Sequence, residues 1–235
     1  MSDEADNGTN RVSETIGVIT QHIRVNALGP GDRLPSENNL SRELNVSRSV
    51  VREAFRSLAA MRLINLSPGK RATVAQLDHG AMSLMMEHGV LTEQISIQQI
   101  YDVRRTIETR TVTLASLRRT DAEAQRIRQH ALAMKEHLDD PDSVMESDLA
   151  FHMAIAQASR NPVFAMIVGA FQGVARQSWP IGWRSRTEPE QRMQVVQTHI
   201  DIADAVAIGD PQTAATLMKR HFDDSTKVLL DAGLT

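Results

Sequence analysis

Residues 35–55 read PSENNLSRELNVSRSVVREAF, two short helical patterns joined by Leu44-Asn45-Val46-Ser47. Ser47 stands where its hydroxyl can accept a hydrogen bond from a free N–H of the first turn, so a helix is predicted from there to about Met61. Within it Val51, Ala54, Phe55 and Leu58 recur at i, i+3, i+4 and i+7 and make one apolar face. Arg48, Ser49, Arg52 and Arg56 fall on the other side. Upstream, Ser36 can cap a helix that turns Leu40 and Leu44 inward, which completes a helix-turn-helix. A helix capped at Ser47 presents its N-terminal arginines to a DNA major groove, where Arg pairs with guanine O6 and N7. The plainer alternative for a charged stripe is a solvated helix face.

The flanks fit the same domain. Val12, Ile16, Ile19 and Ile23 recur at helical spacing until Leu28-Gly29-Pro30-Gly31 stops the pattern, and the polar residues 1–10 are expected to be irregular. Beyond the second helix, Leu63-Ile64-Asn65-Leu66, the turn Ser67-Pro68-Gly69-Lys70 and Ala72-Thr73-Val74 predict two short strands, a wing. Gly69 permits the turn's backbone, while Lys70 and Arg71 bring charge to its tip for phosphate. A winged helix-turn-helix over 11–75 results.

Charge is distributed to match. The net charge of −3 conceals ten Lys/Arg against five Asp/Glu in residues 11–75, and sixteen against twenty-one in residues 76–235. Excess basic charge confined to the helix-turn-helix segment is the electrostatic footprint of a DNA reader joined to a domain with another task. With 235 residues, 41% of them hydrophobic, two domains are expected. The absence of cysteine excludes disulfides and Cys-ligated metal. No apolar run approaches the roughly 20 residues of a membrane span, and the start MSDEADNGTN is unlike a signal peptide, so a cytoplasmic protein without membrane contact is expected.

Past residue 76 strand signals nearly vanish. Helices are predicted at 80–88, 96–118, 121–138, 142–158, 162–178, 188–208 and 211–230, with breaks at Gly89, Asp140-Pro141, Asn161-Pro162, Trp179-Pro180 with Gly182, and Gly209-Asp210-Pro211. The fold class is therefore mainly α, with an all-helical bundle of about six or seven helices over 80–235 following the winged domain. Polar residues interrupt several of its apolar stripes: Asp148 and His152, four apart, on 142–158; His199 on 188–208; His221 on 211–230. Burying them unpaired is costly, and three histidines with one carboxylate suit a divalent metal ion such as zinc, nickel or manganese. A hydrogen-bonded core histidine is the ordinary alternative for each one singly. His22, His79, His88, His130 and His137 fit no such pattern. Arg104 interrupts the stripe Ile97, Ile100, Ile107, Leu114 and either receives a carboxylate effector in bidentate fashion or pairs internally with Glu108. Ser178-Trp179-Pro180-Ile181-Gly182-Trp183-Arg184 holds both tryptophans, as a loop over a cavity mouth or at a subunit contact.

Two resemblances rest on these residues. Pro30-Gly31-Asp32-Arg33-Leu34-Pro35-Ser36-Glu37, Val46-Ser47-Arg48, Val51-Arg52-Glu53-Ala54 and Leu58 resemble the N-terminal signature of GntR-type bacterial transcription regulators. The resemblance implies DNA contacts from Arg48, Ser49 and Arg52 and from the wing at Gly69 and Lys70. Asn38 departs from the arginine that the branch typified by the fatty-acid regulator has at that position. Tyr101-Asp102-Val103-Arg104 with Glu108, Asp148-x-x-Phe151-His152 with Asn161-Pro162, His199, and Ala214 to His221 after Gly209-Asp210 are similar to the FCD ligand-binding domain of the FadR branch, across nearly all of 95–230. It implies a metal at Asp148, His152, His199 and His221 and a small organic acid at Arg104.

The expected protein is a ligand-responsive transcription regulator. A homodimer on a two-fold symmetric operator is expected, because one recognition helix reads few base pairs. A metal-responsive regulator is the first rival. A metal-dependent hydrolase is the second, but no further carboxylate or histidine stands as an evident general base.

Overall fold

The computed structural model describes residues 2–234, with side chains from Asn10 onward. The chain divides into two compact units, one ending at Ala81 and the next starting at Met82.

The first unit contains α1 (Ser2–Val25), α2 (Glu37–Glu43), α3 (Arg48–Ala60), β1 (Ile64–Asn65) and β2 (Thr73–Val74). Ser36 Oγ accepts from Asn39 N–H at 3.2 Å to start α2, and Ser47 Oγ accepts from Val50 N–H at 3.3 Å to start α3. Between them Asn45 takes a left-handed conformation, φ 51°, which reverses the chain in few residues. Val51, Ala54, Phe55 and Leu58 are the buried face of α3 and pack with Ile19, Leu34, Leu40, Ile64 and Ala72. Each buried Val, Leu, Ile or Phe side chain among them contributes roughly 1.5–3 kcal/mol on burial. The wing is antiparallel, Ile64 opposite Val74 and Asn65 opposite Thr73, and Gly69 turns it at φ 69°. The irregular start expected for residues 1–10 is not found: α1 begins at Ser2, with Met1 outside the described residues. The segment has no proline, and acidic residues near a helix N-terminus are favoured by the macrodipole.

The second unit is built from α4 (Gly80–Leu91), whose first residues precede the division, α5 (Ile97–Arg118), α6 (Asp121–Glu136), α7 (Pro141–Ala158), α8 (Pro162–Ala170), α9 (Gln172–Ser185), α10 (Pro189–Ile208) and α11 (Pro211–Asp231). Asp140, Asn161 and Asp210 each cap a helix whose first residue is proline, where the missing N–H costs nothing. Gly209 closes α10 at φ 77°. Helix α5 packs along α11, α7 and α10, and α6 covers α7 and α10.

Two helix expectations are corrected. The helix expected over 162–178 is two, separated at Phe171, whose N–H reaches back only three residues to Val168 O at 3.2 Å. Gly173, just beyond, lies so close to the Glu87 side chain of α4 that a Cβ there would stand 2.0 Å from Glu87 Oε1. The break expected at Trp179-Pro180 and Gly182 is absent, because Pro180 lies inside α9. An interior proline costs about 3 kcal/mol. Burial of Val174, Ala175, Ser178 and Trp183 on the same helix opposes that penalty. Among the described residues the unit thus has eight helices instead of six or seven.

Two consecutive arginines at the end of α5 close two neighbouring helices. Arg118 Nη1 donates to Ser159 O, at the end of α7, at 3.0 Å. Arg119 donates through Nε to Val206 O at 3.1 Å and through Nη2 to Ala207 O at 2.6 Å, at the end of α10. Cations are favoured at helix C-termini, where carbonyls lack intrahelical partners. Replacing Arg119 with Ala should destabilise the protein by about 1–3 kcal/mol, read as a fall of roughly 2–12 °C in thermal midpoint. An unchanged midpoint would show that solvent satisfies those carbonyls equally well.

Candidate functional site

Two surfaces carry the chemistry. On the first unit, Arg48, Ser49, Arg52, Gly69 and Lys70 are all exposed. A groove of about 860 Å³ runs between the start of α3 and the wing, lined by Glu37, Asn38, Arg48, Arg52, Gly69 and Lys70 among others. Its cations differ in how they are held. Arg52 Nη2 donates to Glu37 Oε2 at 3.3 Å and Arg56 Nη1 to Glu53 Oε1 at 2.6 Å. Arg48, Lys70 and Arg71 make no ion pair among the described residues, and Ser49 Oγ lies 2.8 Å from Ser47 Oγ. An open groove with a cationic helix terminus on one side and a cationic turn on the other presents positive potential toward a polyanion.

The second unit buries its polar residues together. Helix α7 supplies Asp148 and His152 one turn apart, α10 supplies His199, and α11 supplies His221. The three histidines bring ring nitrogens within 4.8 Å of one another. Asp148 Oδ1 stands 2.9 Å from His199 Nε2 and 3.9 Å from His152 Nε2. His199 Nδ1 donates to Val195 O at 2.8 Å, which turns Nε2 toward the cluster. That Nε2 is fully buried and has no hydrogen-bond partner by geometry, although Asp148 Oδ1 is only 2.9 Å away. A ring nitrogen and a carboxylate oxygen at that separation need a positive centre shared between them, a proton or a metal ion. On this ground the residues fit a metal ion: each of two histidines turns one nitrogen toward the cluster and ties the other to an outer acceptor. For His152 the outer acceptor is Glu108, with Nδ1 at 2.5 Å from Oε2.

Glu108 also holds Arg104. Arg104 Nε donates to Glu108 Oε1 at 2.8 Å, so the internal pair considered from the sequence is formed. It uses only Nε; neither Nη atom makes a hydrogen bond among the described residues, and the guanidinium lies over the Tyr101 and Phe222 rings at 5.3 and 5.1 Å. Burial alone would lower the pKa of Arg104, but Glu108 raises it. Burial likewise pushes Glu108 up, and Arg104 and His152 bring it below its ordinary value. Asp148 follows the same pattern: burial raises it, and the surrounding imidazoles hold it well below the usual carboxylate range. Burial, with His199 and His152 beside it, keeps His221 well below its ordinary value and therefore neutral near pH 7. A neutral imidazole and an ionised carboxylate are the metal-binding forms of these side chains.

A cavity of about 40 Å³ opens beside the cluster, with Arg104, Asp148, His152 and His221 in its wall. Trp179 and Trp183, stacked at 4.9 Å on α9, line it too, so both tryptophans border the cavity from a helix and not from a loop. An outer cavity of about 340 Å³ shares Arg186, Val195, His221 and Ser225 with it. Sequence reasoning placed Arg104, Asp148, His152, His199 and His221 inward, and each is buried. It treated Glu108 only as a partner for Arg104 and gave Arg186 no role. Glu108 was legible as a carboxylate one turn from Arg104; nothing in the pattern near Arg186 marks it.

Residues 12–74 match the family model described as bacterial regulatory proteins, gntR family, and residues 99–224 match the FCD domain. The chain is 29% identical to HTH-type transcriptional regulator LutR of Bacillus subtilis (strain 168) over 211 residues, 88% of this chain and 95% of LutR. It is 30% identical to HTH-type transcriptional repressor NanR of Citrobacter rodentium over 214 residues, 87% of this chain and 80% of NanR. Among solved structures, Streptococcus agalactiae GntR shares the fold, with a TM-score of 0.67 and 22% identity over 92% of this chain and 99% of that one. With a helix-turn-helix in its first unit and the FCD match over more than half its length, this chain belongs to the GntR family of bacterial regulators with a C-terminal FCD domain, and it is a ligand-responsive DNA-binding transcription regulator rather than an enzyme.

Proposed function

We propose that the protein is a cytoplasmic regulator of the FadR branch, working as a homodimer on a two-fold symmetric operator, whose helical domain binds one divalent metal ion and a small carboxylate effector. The observation that carries the metal is the convergence of three buried imidazoles within 4.8 Å, with the Nε2 of His199 unpartnered beside Asp148 Oδ1. Asp148, His152, His199 and His221 would hold the ion, with zinc, nickel and manganese as candidates. Bound there, the ion would supply a Lewis-acidic centre for the effector's carboxylate. Arg104 receives the same carboxylate through its uncommitted Nη atoms, and Glu108 orients both Arg104 and His152. An effector changes operator affinity only through different affinities for two arrangements of the protein. Here those arrangements differ in how α5, α7, α10 and α11 are drawn together.

On DNA, Arg48 and Arg52 reach bases from the start of α3, Ser49 adds a polar contact there, and Gly69 and Lys70 bring the wing to the phosphates. Arg52 must exchange Glu37 for its DNA partner. Arg52→Ala should cost roughly 1–3 kcal/mol of specific operator binding with little effect on folding. Unaltered affinity in a folded Arg52→Ala protein, measured by fluorescence anisotropy on operator DNA, would remove that residue from base reading.

For the metal, elemental analysis should find about one bound ion per chain in wild type after incubation with the three candidates and much less in His199→Ala. A chelator should lower the wild-type thermal midpoint by several degrees, since an ion at about 100 times its Kd contributes about 2.7 kcal/mol. Protein that stays metal-free and melts identically with chelator would leave the four residues as a buried polar network. If metal alone alters operator affinity and no organic acid adds to it, the metal is itself the signal.

Glu108→Gln keeps the side chain's size and removes its charge from between Arg104 and His152. Metal affinity should fall about 10–100-fold, as for other partners of metal-bound histidines, in competition with a chromophoric chelator. Unchanged affinity in a folded variant would restrict Glu108 to neutralising Arg104.

A further inference from the structure

The inner cavity is too small for a whole organic acid. About 40 Å³ accommodates a few water-sized groups, enough for one carboxylate. The rest of any ligand must extend into the outer cavity of about 340 Å³, and Arg186 stands in the wall that the two share.

Arg186 and Arg192 are half-buried arginines of this unit that make no ion pair among the described residues, and of the two only Arg186 lines the cavities. Arg186 ends α9, and its side chain turns back so that Nη1 donates to Gly182 O at 2.8 Å. Its backbone is fixed as well, because Arg192 Nε donates to Arg186 O at 2.9 Å while the Arg192 guanidinium rests over the Trp183 ring at 5.5 Å. The remaining guanidinium N–H groups have no partner, and Arg186 makes no salt bridge among the described residues. Arg105, Arg128, Arg160 and Arg176, all more exposed, each have a carboxylate partner. Asp148 and Asp224 are near enough to act on Arg186 through their charge, yet burial outweighs them and lowers its pKa. Capping α9 occupies one of the five N–H groups of a guanidinium. It does not explain a half-buried cation at the junction of two cavities that has Asp148 and Asp224 nearby but no carboxylate in direct contact.

We propose that Arg186 is the receptor for a second anionic group on the effector, so that the site selects small dicarboxylic acids over monocarboxylic acids of the same length. The first carboxylate enters the inner cavity beside Arg104 and the histidines. The second lies against Arg186 at the entrance to the outer cavity, where Ser225 from α11 offers a hydroxyl. Selection arises because a monoacid leaves the Arg186 charge partly desolvated and unpaired, whereas a diacid satisfies it with charge-assisted hydrogen bonds. The inference rests on the carboxylate-effector reading and adds the ligand's second charge to it.

The test uses the full-length protein saturated in turn with zinc, nickel and manganese. Malonate, succinate and glutarate are titrated against propionate, butyrate and pentanoate, following the fluorescence of Trp179 and Trp183 at the cavity wall and, independently, the thermal midpoint. At least one diacid should bind about tenfold or more tightly than its monoacid counterpart, a difference of about 1.4 kcal/mol. Arg186→Gln should abolish that preference, bringing diacid affinity to within about twofold of the monoacid's with metal content unchanged, and Arg186→Lys should restore part of it. Equal binding of diacids and monoacids by wild type would overturn the inference and leave the carboxylate effector standing. A diacid preference that survives Arg186→Gln would assign it to chelation of the metal and also overturn it. If no acid of either class shifts fluorescence or melting, the carboxylate-effector reading falls together with it.

Discussion

Arg104 and Glu108 place opposite charges one turn apart in the interior of the helical unit, and the packing around them must keep both satisfied. Stripping water from an ion pair costs several kcal/mol per ion, and their attraction offsets this only when the remaining hydrogen-bonding positions are also used. Glu108 meets the requirement by using one oxygen for Arg104 and the other for His152. Arg104 lies over the Tyr101 and Phe222 rings, whose faces interact with its guanidinium. Removing any one member leaves another charged or polar group buried alone. The apolar core around them, with Phe151, Ile202 and Met218 fully buried, supplies stability. The charged cluster instead fixes which side chains face one another.

That arrangement ties four helices to one point. Helix α5 brings Arg104 and Glu108, α7 brings Asp148 and His152, α10 brings His199 and α11 brings His221. The aromatic edges of Phe151 against His199 and of Phe222 against His221, with ring centroids 5.0 and 5.1 Å apart, restrict the imidazoles from the side. Within this firmly held group one nitrogen of His199 is left without a hydrogen-bond partner. Such a point of convergence is where a bound group can alter the spacing of several helices at once.

The DNA-reading unit solves a different problem, since its cations must remain available. Its apolar face is closed by Val51, Ala54, Phe55 and Leu58, leaving the arginines of α3 in solvent. Glu37 limits this availability at one position by holding Arg52. A surface pair of this kind contributes on the order of 0–1 kcal/mol, little enough for a phosphate or base to displace it.

How far the sequence determined these features depends on whether each is local. Helical spacing in α3, the caps at Ser36 and Ser47, the proline-led starts at Asn161 and Asp210 and the turn at Gly69 all follow from neighbours within a few residues, and the sequence alone determines them. It also placed Asp148, His152, His199 and His221 in the interior, because a polar residue on an apolar stripe of a packed helix has nowhere else to point. The division at Phe171, the continuity of α9 through Pro180 and the helical start of α1 were not legible there: in α8 and α9, burial and the packing of Glu87 over Gly173 act on the backbone from distant parts of the chain. Nor were Glu108 as the link between Arg104 and His152, or Arg186 at the junction of two cavities. Both depend on side chains separated by tens of residues, His152 lying 44 from Glu108, and only folding brings those into contact. Periodicity carries the direction in which a side chain points; which partner it meets is set by the distances between helices, and those exist only in the packed structure.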